Sequence, residues 1–273
     1  MSGRGTGVAL GKSLRLSSFI AIEDRKSLIV ELDQGLMQGP TRGSLDLQLV
    51  LASLSADADA VVLSPGNAGR SVPRFMGRAA PALIVRADWT NAFRDQSSVL
   101  PASEVRHAMV CSTEDAVALG ASAVAAYFFI GYRDDEDEAR NMESIALLAR
   151  QCDRLGMPLI VESVPIGERT AGANFADCVD LATRMAMEAG ADAVAAPYTG
   201  DEKTFHALAE SVGVPLFLLY STDPIVEPFS VVRSSLDAGA SGVIVGRSLL
   251  EVENSSETLK KLRHIVHKQR RER

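Results

Sequence analysis

Apolar residues form short, unbroken runs along the chain, and four of these runs follow the same kind of junction. The junctions begin at residues 55, 119, 189 and 238, and in each of them small or polar residues end a helix before the apolar run starts. Three junctions carry glycine at the helix end, where a positive φ is common and costs glycine least. An apolar run without polar alternation is typical of a strand buried on both faces, as in parallel sheets covered by helices.

Eight segments fit this description of a strand, and helical patterns lie between most of them. The strand segments are residues 28–33, 60–64, 83–88, 123–130, 158–162, 193–197, 215–220 and 242–246. Residues 136–155 and 174–188 have apolar residues at helical spacing, and polar residues near 201 and 222 are typical of helix starts. Eight strands in a chain of 273 residues favour a closed barrel over an open doubly wound sheet. The sequence therefore predicts an α/β fold, a single (β/α)8 TIM barrel.

The remaining segments are assigned to the same domain, which is predicted to span residues 1–273. Residues 1–26 are expected to close the bottom of the barrel, and residues 248–273 are expected to contain the last helix. Residues 107–112 are short and apolar, so we expect a minor strand or a loop outside the barrel. No linker divides the chain into two domains.

Composition and charge limit the classes of function. The net charge of −7 argues against general binding of nucleic acid or of membrane surfaces. No apolar run reaches the roughly 18 residues that would span a bilayer. The three cysteines are odd in number and widely spaced, which indicates buried thiols in a reducing compartment and predicts a cytoplasmic protein. Their spacing supports no structural zinc site.

Polar residues at strand ends are the first candidates for chemistry, because active sites of TIM barrels lie at the carboxyl ends of the strands. Asp33 ends the first strand, Arg86 and Asp88 end the third, and Glu162 ends the fifth. Arg86 and Asp88 either pair with each other or hold a hydroxylated or phosphorylated substrate. Glu162 either pairs with Arg86, acts as an acid or base, or ligates a divalent metal together with neighbouring carboxylates.

The sixth strand carries the segment Gly190-Ala-Asp-Ala-Val-Ala-Ala-Pro-Tyr-Thr-Gly-Asp201. This segment resembles the archaeal-type class I fructose-bisphosphate aldolase family (DhnA/DeoC-like aldolases), and the resemblance extends over nearly the whole chain. It implies a TIM barrel that acts on a phosphorylated sugar or keto compound. In that family, the position of Ala195 holds the lysine that forms a Schiff base with the substrate, so this chain resembles a divergent member without that lysine.

The same resemblance implies a phosphate site after the seventh and eighth strands. Gly246 and Arg247 match the Gly-Arg pair that binds phosphate in the family. Ser221 and Thr222 stand where the family has two glycines, and their hydroxyls can still donate hydrogen bonds. Phosphate in such barrels is held by backbone N–H groups and a short helix amino terminus.

Acid and base groups are also implied by the resemblance. Asp33 matches the aspartate that handles protons on the substrate, although Gln34 replaces the histidine that usually follows it. The family often has a tyrosine acid/base at the position of Val164. Because that tyrosine is absent here, Glu162 or Tyr198 is the candidate for its role.

A Schiff base requires a primary amine inside the barrel with a lowered pKa. None of the six lysines falls on a predicted strand; they are Lys12, Lys26, Lys203, Lys260, Lys261 and Lys268. We therefore expect C–C cleavage or formation, or proton transfer next to a carbonyl, without Schiff-base chemistry. No organic cofactor is predicted, and the carbanion is stabilised by hydrogen bonds or by a divalent metal.

Three functions remain open at this point. The first is the aldolase-type enzyme. The second is a catalytically inactive family member, or a lysine-to-alanine variant, that binds a sugar phosphate. The third is an interaction protein that uses the barrel as a scaffold, because a fold alone does not determine function. The resemblance also implies a homo-oligomer.

Overall fold

Eight parallel strands close into a barrel, and two further strands form a small sheet beside it. The computed structural model describes residues 3–39, 47–54, 57–96, 98–170, 172–220, 228–246 and 254–268. The strands in chain order are β1 (Ser27–Glu31), β2 (Ala60–Leu63), β3 (Ala82–Arg86), β4 (Asp88–Thr90), β5 (His107–Met109), β6 (Ala123–Ile130), β7 (Leu159–Pro165), β8 (Ala193–Ala196), β9 (Leu216–Tyr220) and β10 (Gly242–Val245). The barrel order is β1-β10-β9-β8-β7-β6-β3-β2, with all eight neighbours parallel.

Helices follow the barrel strands and cover their outer faces. Those among the described residues are α1 (Gly3–Leu16), α2 (Gln34–Gln38), α3 (Leu47–Leu54), α4 (Pro65–Arg70), α5 (Thr113–Ala118), α6 (Asp135–Leu155), α7 (Phe175–Glu188), α8 (Glu202–Ser211), α9 (Pro228–Asp237) and α10 (Ser255–Lys268). The predicted (β/α)8 barrel is therefore confirmed. None of the helices in the described ranges has the length and apolar character needed to cross a membrane.

The repeated junction of the sequence has the predicted backbone geometry. Gly120, Gly190 and Gly239 follow α5, α7 and α9, and their φ values are 78°, 108° and 110°. Side chains are rarely tolerated at such φ values, so glycine ends each helix and lets the chain turn into the next strand.

Most strand ends lie within two residues of their predicted positions, and two of the differences affect candidate site residues. The third barrel strand ends at Arg86, because Asp88 begins β4 and the chain leaves the barrel there. The fifth barrel strand continues past Glu162 to Pro165, because the long strand β6 still provides a partner, with Ile130 paired to Pro165. Sequence alone shows neither the departure nor the extra pairing.

The barrel interior is filled by a cluster of small and large apolar side chains. Alanines such as Ala125 and Ala195 alternate around the interior with larger residues such as Ile160 and Phe217. Phe19, which lies between α1 and β1, also belongs to this cluster and is buried. The segment before β1 therefore contributes a side chain to the barrel core.

Between β3 and α5 the chain makes an excursion, which comprises residues 87–112. Within it, β4 and β5 pair antiparallel, so the segment at 107–112 contains a short strand outside the barrel. The excursion is anchored at Ala87, whose carbonyl accepts hydrogen bonds from the N–H groups of Val110 and Cys111. Phe93 in the excursion packs on Tyr127 of β6, with ring centroids 5.1 Å apart. The excursion thus covers the carboxyl end of β6.

A histidine clasp joins α10 to the residues that precede β1 and β2. His267 Nδ1 is 2.8 Å from Asp24 Oδ2, and His267 Nε2 is 2.9 Å from Asp59 Oδ2. Two carboxylate partners require both ring nitrogens of His267 to carry protons. The hydrogen bond to Asp59 therefore raises the pKa of His267; burial opposes this shift, and the hydrogen bond to Asp24 adds to it. Asp59 also accepts the N–H of Leu28, and Arg263 contacts its other oxygen.

Because the pKa of His267 is higher in the folded state, its stabilising effect is fully present below the unfolded value of about 6.5. This contribution is lost as pH rises through the raised folded pKa. We expect His267→Gln to lower the free energy of unfolding by about 1 kcal/mol near pH 6, and by less near pH 9. Urea unfolding at both pH values measures this. His206→Gln is the control, since His206 is largely exposed; a His267 deficit that grew with pH would contradict the clasp.

Candidate active site

Four ionisable side chains meet inside the barrel, at the carboxyl ends of β1, β3 and β7. We call Glu31, Asp33, Arg86 and Glu162 the charged layer. Arg86 and Glu162 have no exposed surface, and Asp33 and Glu31 are 2% and 6% exposed. Glu31, Arg86 and Glu162 each lie two residues beyond an isoleucine of the interior cluster, so strand alternation turns them inward. They come from the first, third and fifth barrel strands, as is typical of one interior layer.

Arg86 is the centre of the charged layer and contacts all three carboxyl groups. Its Nε donates to Asp33 Oδ2 at 2.5 Å, and its Nη2 donates to Glu31 Oε1 at 2.7 Å. Nη2 also lies 2.8 Å from Glu162 Oε1, but this ion pair is poorly aligned for a hydrogen bond. Glu162 therefore forms the ion pair with Arg86 that was one of its three predicted roles.

Three carboxyl groups around one guanidinium leave an excess of negative charge, which buried sites avoid by binding protons. Burial raises the pKa of Glu31 well above its usual range, and the negative charge of Glu162 raises it further. Burial also raises the pKa of Glu162, although Arg86 opposes that shift. The interaction between the two glutamate side chains raises the pKa of Glu31 and lowers that of Glu162. Protonation in this layer is therefore favoured most at Glu31.

Tyr127 of β6 completes the charged layer, and the sequence analysis did not identify it. Its ring centroid is 4.2 Å from Arg86 Cζ, and its hydroxyl is 3.5 Å from Arg86 Nη2. Burial raises the pKa of Tyr127 well above its ordinary value, so the hydroxyl stays protonated. In the sequence, Tyr127 belongs to a continuous apolar run. Its register opposite Glu162 is what places it in the site.

Asp88 lies at the edge of the charged layer: it makes a long ion pair with Arg86, and its role as a substrate ligand stays a prediction. Its Oδ1 is 3.9 Å from Arg86 Nη1, farther than any other carboxyl contact of Arg86. Its Oδ2 instead accepts from the N–H of Tyr127 at 2.6 Å and lies 2.7 Å from His107 Nε2. The physical reason is the chain's departure from the barrel at Ala87, which directs Asp88 to the edge of β6.

Ala195 lies beside the charged layer. In the sheet it is paired with Glu162 on one side and Phe217 on the other, and its side chain belongs to the interior cluster. A side chain at this position therefore points into the barrel next to the Glu162 carboxylate. The position has the orientation that an imine-forming lysine needs, but an alanine occupies it.

The described lysine side chains lie away from the charged layer. Lys12 bonds to Asp153 and Asp192, and Lys26 donates to the carbonyl of Ala240. Both contacts are at the amino-terminal end of the barrel. The remaining described side chains, those of Lys203, Lys260 and Lys261, are exposed on α8 and α10. The side chain of Lys268 lies outside the described residues.

Tyr198 is not brought to the charged layer. Its ring packs against Phe205 of α8 at 5.5 Å, within the apolar layer between the barrel and the helices. Burial raises its pKa, and a hydrogen bond with the Ser234 side chain opposes this shift. The structure thus gives Tyr198 a packing role between α8 and α9 and does not support it as the acid or base.

The predicted phosphate site is only partly visible. Ser221, Thr222 and Arg247 lie outside the described residues, so their roles stay predictions. Gly246 follows β10 and lies against the charged layer: a Cβ there would be 2.7 Å from Gln34 Nε2 and 2.9 Å from Glu31 Oε2. A side chain at this position would collide with both groups, so only glycine leaves enough space for the Glu31 carboxyl.

Two further observations concern ligands. Among the described residues, no group of three or more His, Cys, Asp or Glu side chains is arranged to hold a metal ion.

A polar cavity of about 1110 Å³ opens beyond the carboxyl ends of β6 and β7. Its lining includes Arg106, Arg133 and Arg169 but no member of the charged layer. Tyr132 and Ile166 also line it, and they belong to the apolar cluster that contains Tyr127.

Comparison with known proteins supports the fold and identifies the family. An uncharacterized aldolase of Saccharolobus solfataricus is 29% identical over 262 residues, covering 94% of this chain and 95% of that protein. The class 1 fructose-bisphosphate aldolase of Thermoproteus tenax is 30% identical over 252 residues, covering 89% and 90%. A solved structure of a Schiff-base-forming fructose-1,6-bisphosphate aldolase superimposes with a TM-score of 0.79 at 28% identity, covering 94% of this chain and 100% of that one.

The family assignment rests on the extent of these matches. Residues 27–251 match the DeoC/LacD family aldolase, a span that runs from the start of β1 past the end of β10. The same span contains the charged layer and Ala195. The chain therefore belongs to the DeoC/LacD family of aldolases.

Proposed function

We propose that the protein is a carbon–carbon lyase that acts on a phosphorylated β-hydroxy ketone without forming a Schiff base. The observation that carries this proposal is the charged layer, in which the Glu31 and Glu162 carboxyl groups, whose pKa values are both raised, lie beside Arg86 at the carboxyl-terminal end of an aldolase barrel. A raised carboxyl pKa is what an acid/base group requires near neutral pH. The phosphorylated substrate class is taken from the Thermoproteus tenax relative, whose name specifies fructose bisphosphate.

The proposed cleavage conserves protons and electrons within the site. The carboxylate of Asp33 takes the proton from the β-hydroxyl, and the oxygen's electrons form the carbonyl of the aldehyde product. The C–C bond breaks, and its electron pair moves into the ketone as an enediolate. Glu31 then returns a proton to the carbon, and the proton on Asp33 passes back to the Glu31–Glu162 pair. Addition runs through the same steps in reverse.

The enediolate requires a stabiliser in place of an imine. Hydrogen-bond donors inside a water-poor site stabilise developing negative charge strongly. The charged layer and Tyr127 together offer three: the guanidinium of Arg86, the hydroxyl of Tyr127, and the carboxyl of Glu31 in its protonated form, which the raised pKa favours. We propose that these donors replace the amine, and that Gly246, Arg247, Ser221 and Thr222 hold the phosphate. Homo-oligomerisation and a cytoplasmic location stay predictions.

The proposal is tested by assaying cleavage of fructose 1,6-bisphosphate and other phosphorylated β-hydroxy ketones before and after the protein is treated with substrate and borohydride and the reagent is removed. We expect release of the aldehyde product, no loss of activity after the treatment, and no added mass on the chain, because none of the described lysine side chains reaches the charged layer. Mass spectrometry and coupled aldehyde assays measure these outcomes. A Schiff-base-forming archaeal aldolase is the control and should lose activity.

Two results would contradict this mechanism. A ketone-dependent, borohydride-trapped adduct would show that an imine forms. Activity that disappears with EDTA and returns with a divalent metal would assign stabilisation of the enediolate to a cation.

A second function is favoured by the closed arrangement of the charged layer. Arg86 has no exposed surface and its Nε and Nη2 atoms already contact protein carboxyl groups, which suits a family member that binds a sugar phosphate without turning it over. Calorimetric titration with fructose 1,6-bisphosphate separates the two functions. Binding without product at any enzyme concentration would support the inactive binder.

A further inference from the structure

A chain of buried polar side chains connects the excursion to the charged layer. It runs from Asn141 on α6 to His107 on β5 and then to Asp88 on β4, and it ends opposite Arg86. Asn141 and Asp88 are 1% and 0% exposed, and the His107 side chain is 4% exposed. The proposed reaction uses none of these three side chains directly.

These side chains bond to the edge of β6 because β6 loses its neighbouring strand halfway along its length. Up to Ala125, the edge of β6 is paired with β3, but β3 ends at Arg86. Beyond that point, the N–H of Tyr127 donates to Asp88 Oδ2, and the carbonyl of Tyr127 accepts from Asn141 Nδ2 at 3.1 Å. Two side chains therefore replace the missing strand, and on that edge of β6 they bond both backbone polar groups of Tyr127.

The orientation of Asn141 is determined by the backbone of β6. The N–H of Phe129 donates to Asn141 Oδ1 at 2.8 Å, while the carbonyl of Tyr127 accepts from Asn141 Nδ2. A backbone N–H can only donate and a carbonyl can only accept, so the amide cannot be flipped without losing both bonds. Nδ2 therefore faces His107 with its second hydrogen.

This orientation selects one tautomer of His107. Asn141 Nδ2 lies 3.2 Å from His107 Nδ1, so Nδ1 must accept and cannot carry a proton. The proton of the neutral ring is then on Nε2, which donates to Asp88 Oδ2 at 2.7 Å. With Tyr127 N–H as the second donor, Oδ2 of Asp88 is held in place. Oδ1 of Asp88 and Nη1 of Arg86 are 3.9 Å apart, too far for a hydrogen bond, and neither atom has a hydrogen-bond partner in the described part of the chain.

We propose that His107 and Asn141 are positioning residues for the proposed active site. His107 acts in this role as the Nε2–H tautomer. They fix Asp88, and through it they hold Tyr127 over the guanidinium of Arg86. The tautomer follows from the geometry alone, whereas the effect on catalysis rests on the proposed function.

The first test is independent of activity. Nitrogen-15 NMR of the labelled full chain near pH 7 reports which ring nitrogen of His107 carries the proton, with His107→Gln identifying the signal among the four histidines. We expect a protonated Nε2 and an unprotonated Nδ1. A protonated Nδ1, alone or in an imidazolium, would overturn the assignment even if the enzyme is active.

The second test compares two substitutions of His107. Glutamine can still donate to Asp88, whereas phenylalanine cannot, so we expect exchange of the Arg86 Nε–H with solvent to accelerate about tenfold in His107→Phe and to stay near wild type in His107→Gln. In cleavage assays, kcat should fall about tenfold in His107→Phe with little change in KM. His267→Gln, at the opposite end of the barrel, controls for general destabilisation.

The two tests keep this inference separate from the proposed function. A wild-type chain that cleaves no phosphorylated ketone would contradict the function but leave the tautomer and the exchange result standing. Exchange at Arg86 that is equal in His107→Phe and in wild type would overturn positioning whatever the activity.

Discussion

Glu162→Gln is expected to reduce kcat by about 10² to 10⁴-fold, the loss typical of removing a general acid/base group. Glutamine has nearly the same shape but can neither take up nor release a proton. The substitution also removes the negative charge that raises the pKa of Glu31, so the remaining carboxyl ionises more readily and a smaller fraction of it holds a proton near neutral pH. The turnover number is measured on fructose 1,6-bisphosphate, or on the phosphorylated ketone that the wild-type chain cleaves fastest.

Glu136→Gln is the matched control for this prediction. Glu136 also contacts an arginine, Arg140, but both side chains are exposed on α6 and outside the barrel. We expect this variant to keep the wild-type kcat. Circular dichroism of both variants confirms that the barrel is folded. A folded Glu162→Gln variant with unchanged kcat would remove the Glu31–Glu162 pair from the mechanism.

Arg86→Met is expected to lower the free energy of unfolding by about 3–5 kcal/mol near pH 7, because it leaves buried carboxyl groups without their cation. Methionine retains an unbranched side chain, so the loss of charge dominates. The carboxyl groups around it would bind protons in the folded state at a pH well above their unfolded pKa of about 4.3. The folded state then holds more protons than the unfolded state, so stability rises as pH falls. The deficit should therefore shrink between about pH 7 and pH 5.

The control for this prediction is Arg106→Met. Arg106 also contacts two carboxylates, Glu104 and Asp137, but half of its side chain is exposed. Exposed pairs contribute at most about 1 kcal/mol. Urea unfolding of both variants at two pH values gives the comparison. A cost for Arg86→Met that matches the control, or a deficit that grows on acidification, would show that the charged layer is not a buried ionic centre.

Much of the fold follows from local signals in the sequence. Glycines at the helix ends predicted three helix-to-strand junctions, and Gly120, Gly190 and Gly239 all have the expected positive φ. Asp201 was predicted to start a helix, and its carboxylate accepts from the N–H groups of Lys203 and Thr204 at the start of α8. Such signals are readable because they depend only on residues a few positions apart.

The candidate site was predictable in part. Asp33, Arg86 and Glu162 were identified because they lie at strand ends, and the barrel brings them together. Tyr127 was missed because nothing in an apolar run distinguishes an inward tyrosine from a packing residue. Asp88 was expected beside Arg86 from strand alternation, but the strand ends before Asp88, so alternation no longer determines its direction.

By itself, the sequence determined an eight-stranded α/β barrel, the resemblance to an aldolase family, and the alanine at the lysine position. Only the tertiary structure decided that one arginine from β3 binds carboxyl groups from β1 and β7, that Tyr127 covers it, and that His107 and Asn141 hold its surroundings. The physical reason is that closure of the barrel joins residues that are 53 or more positions apart in the chain. Their relative register, and no local pattern, sets which inward side chains share a layer.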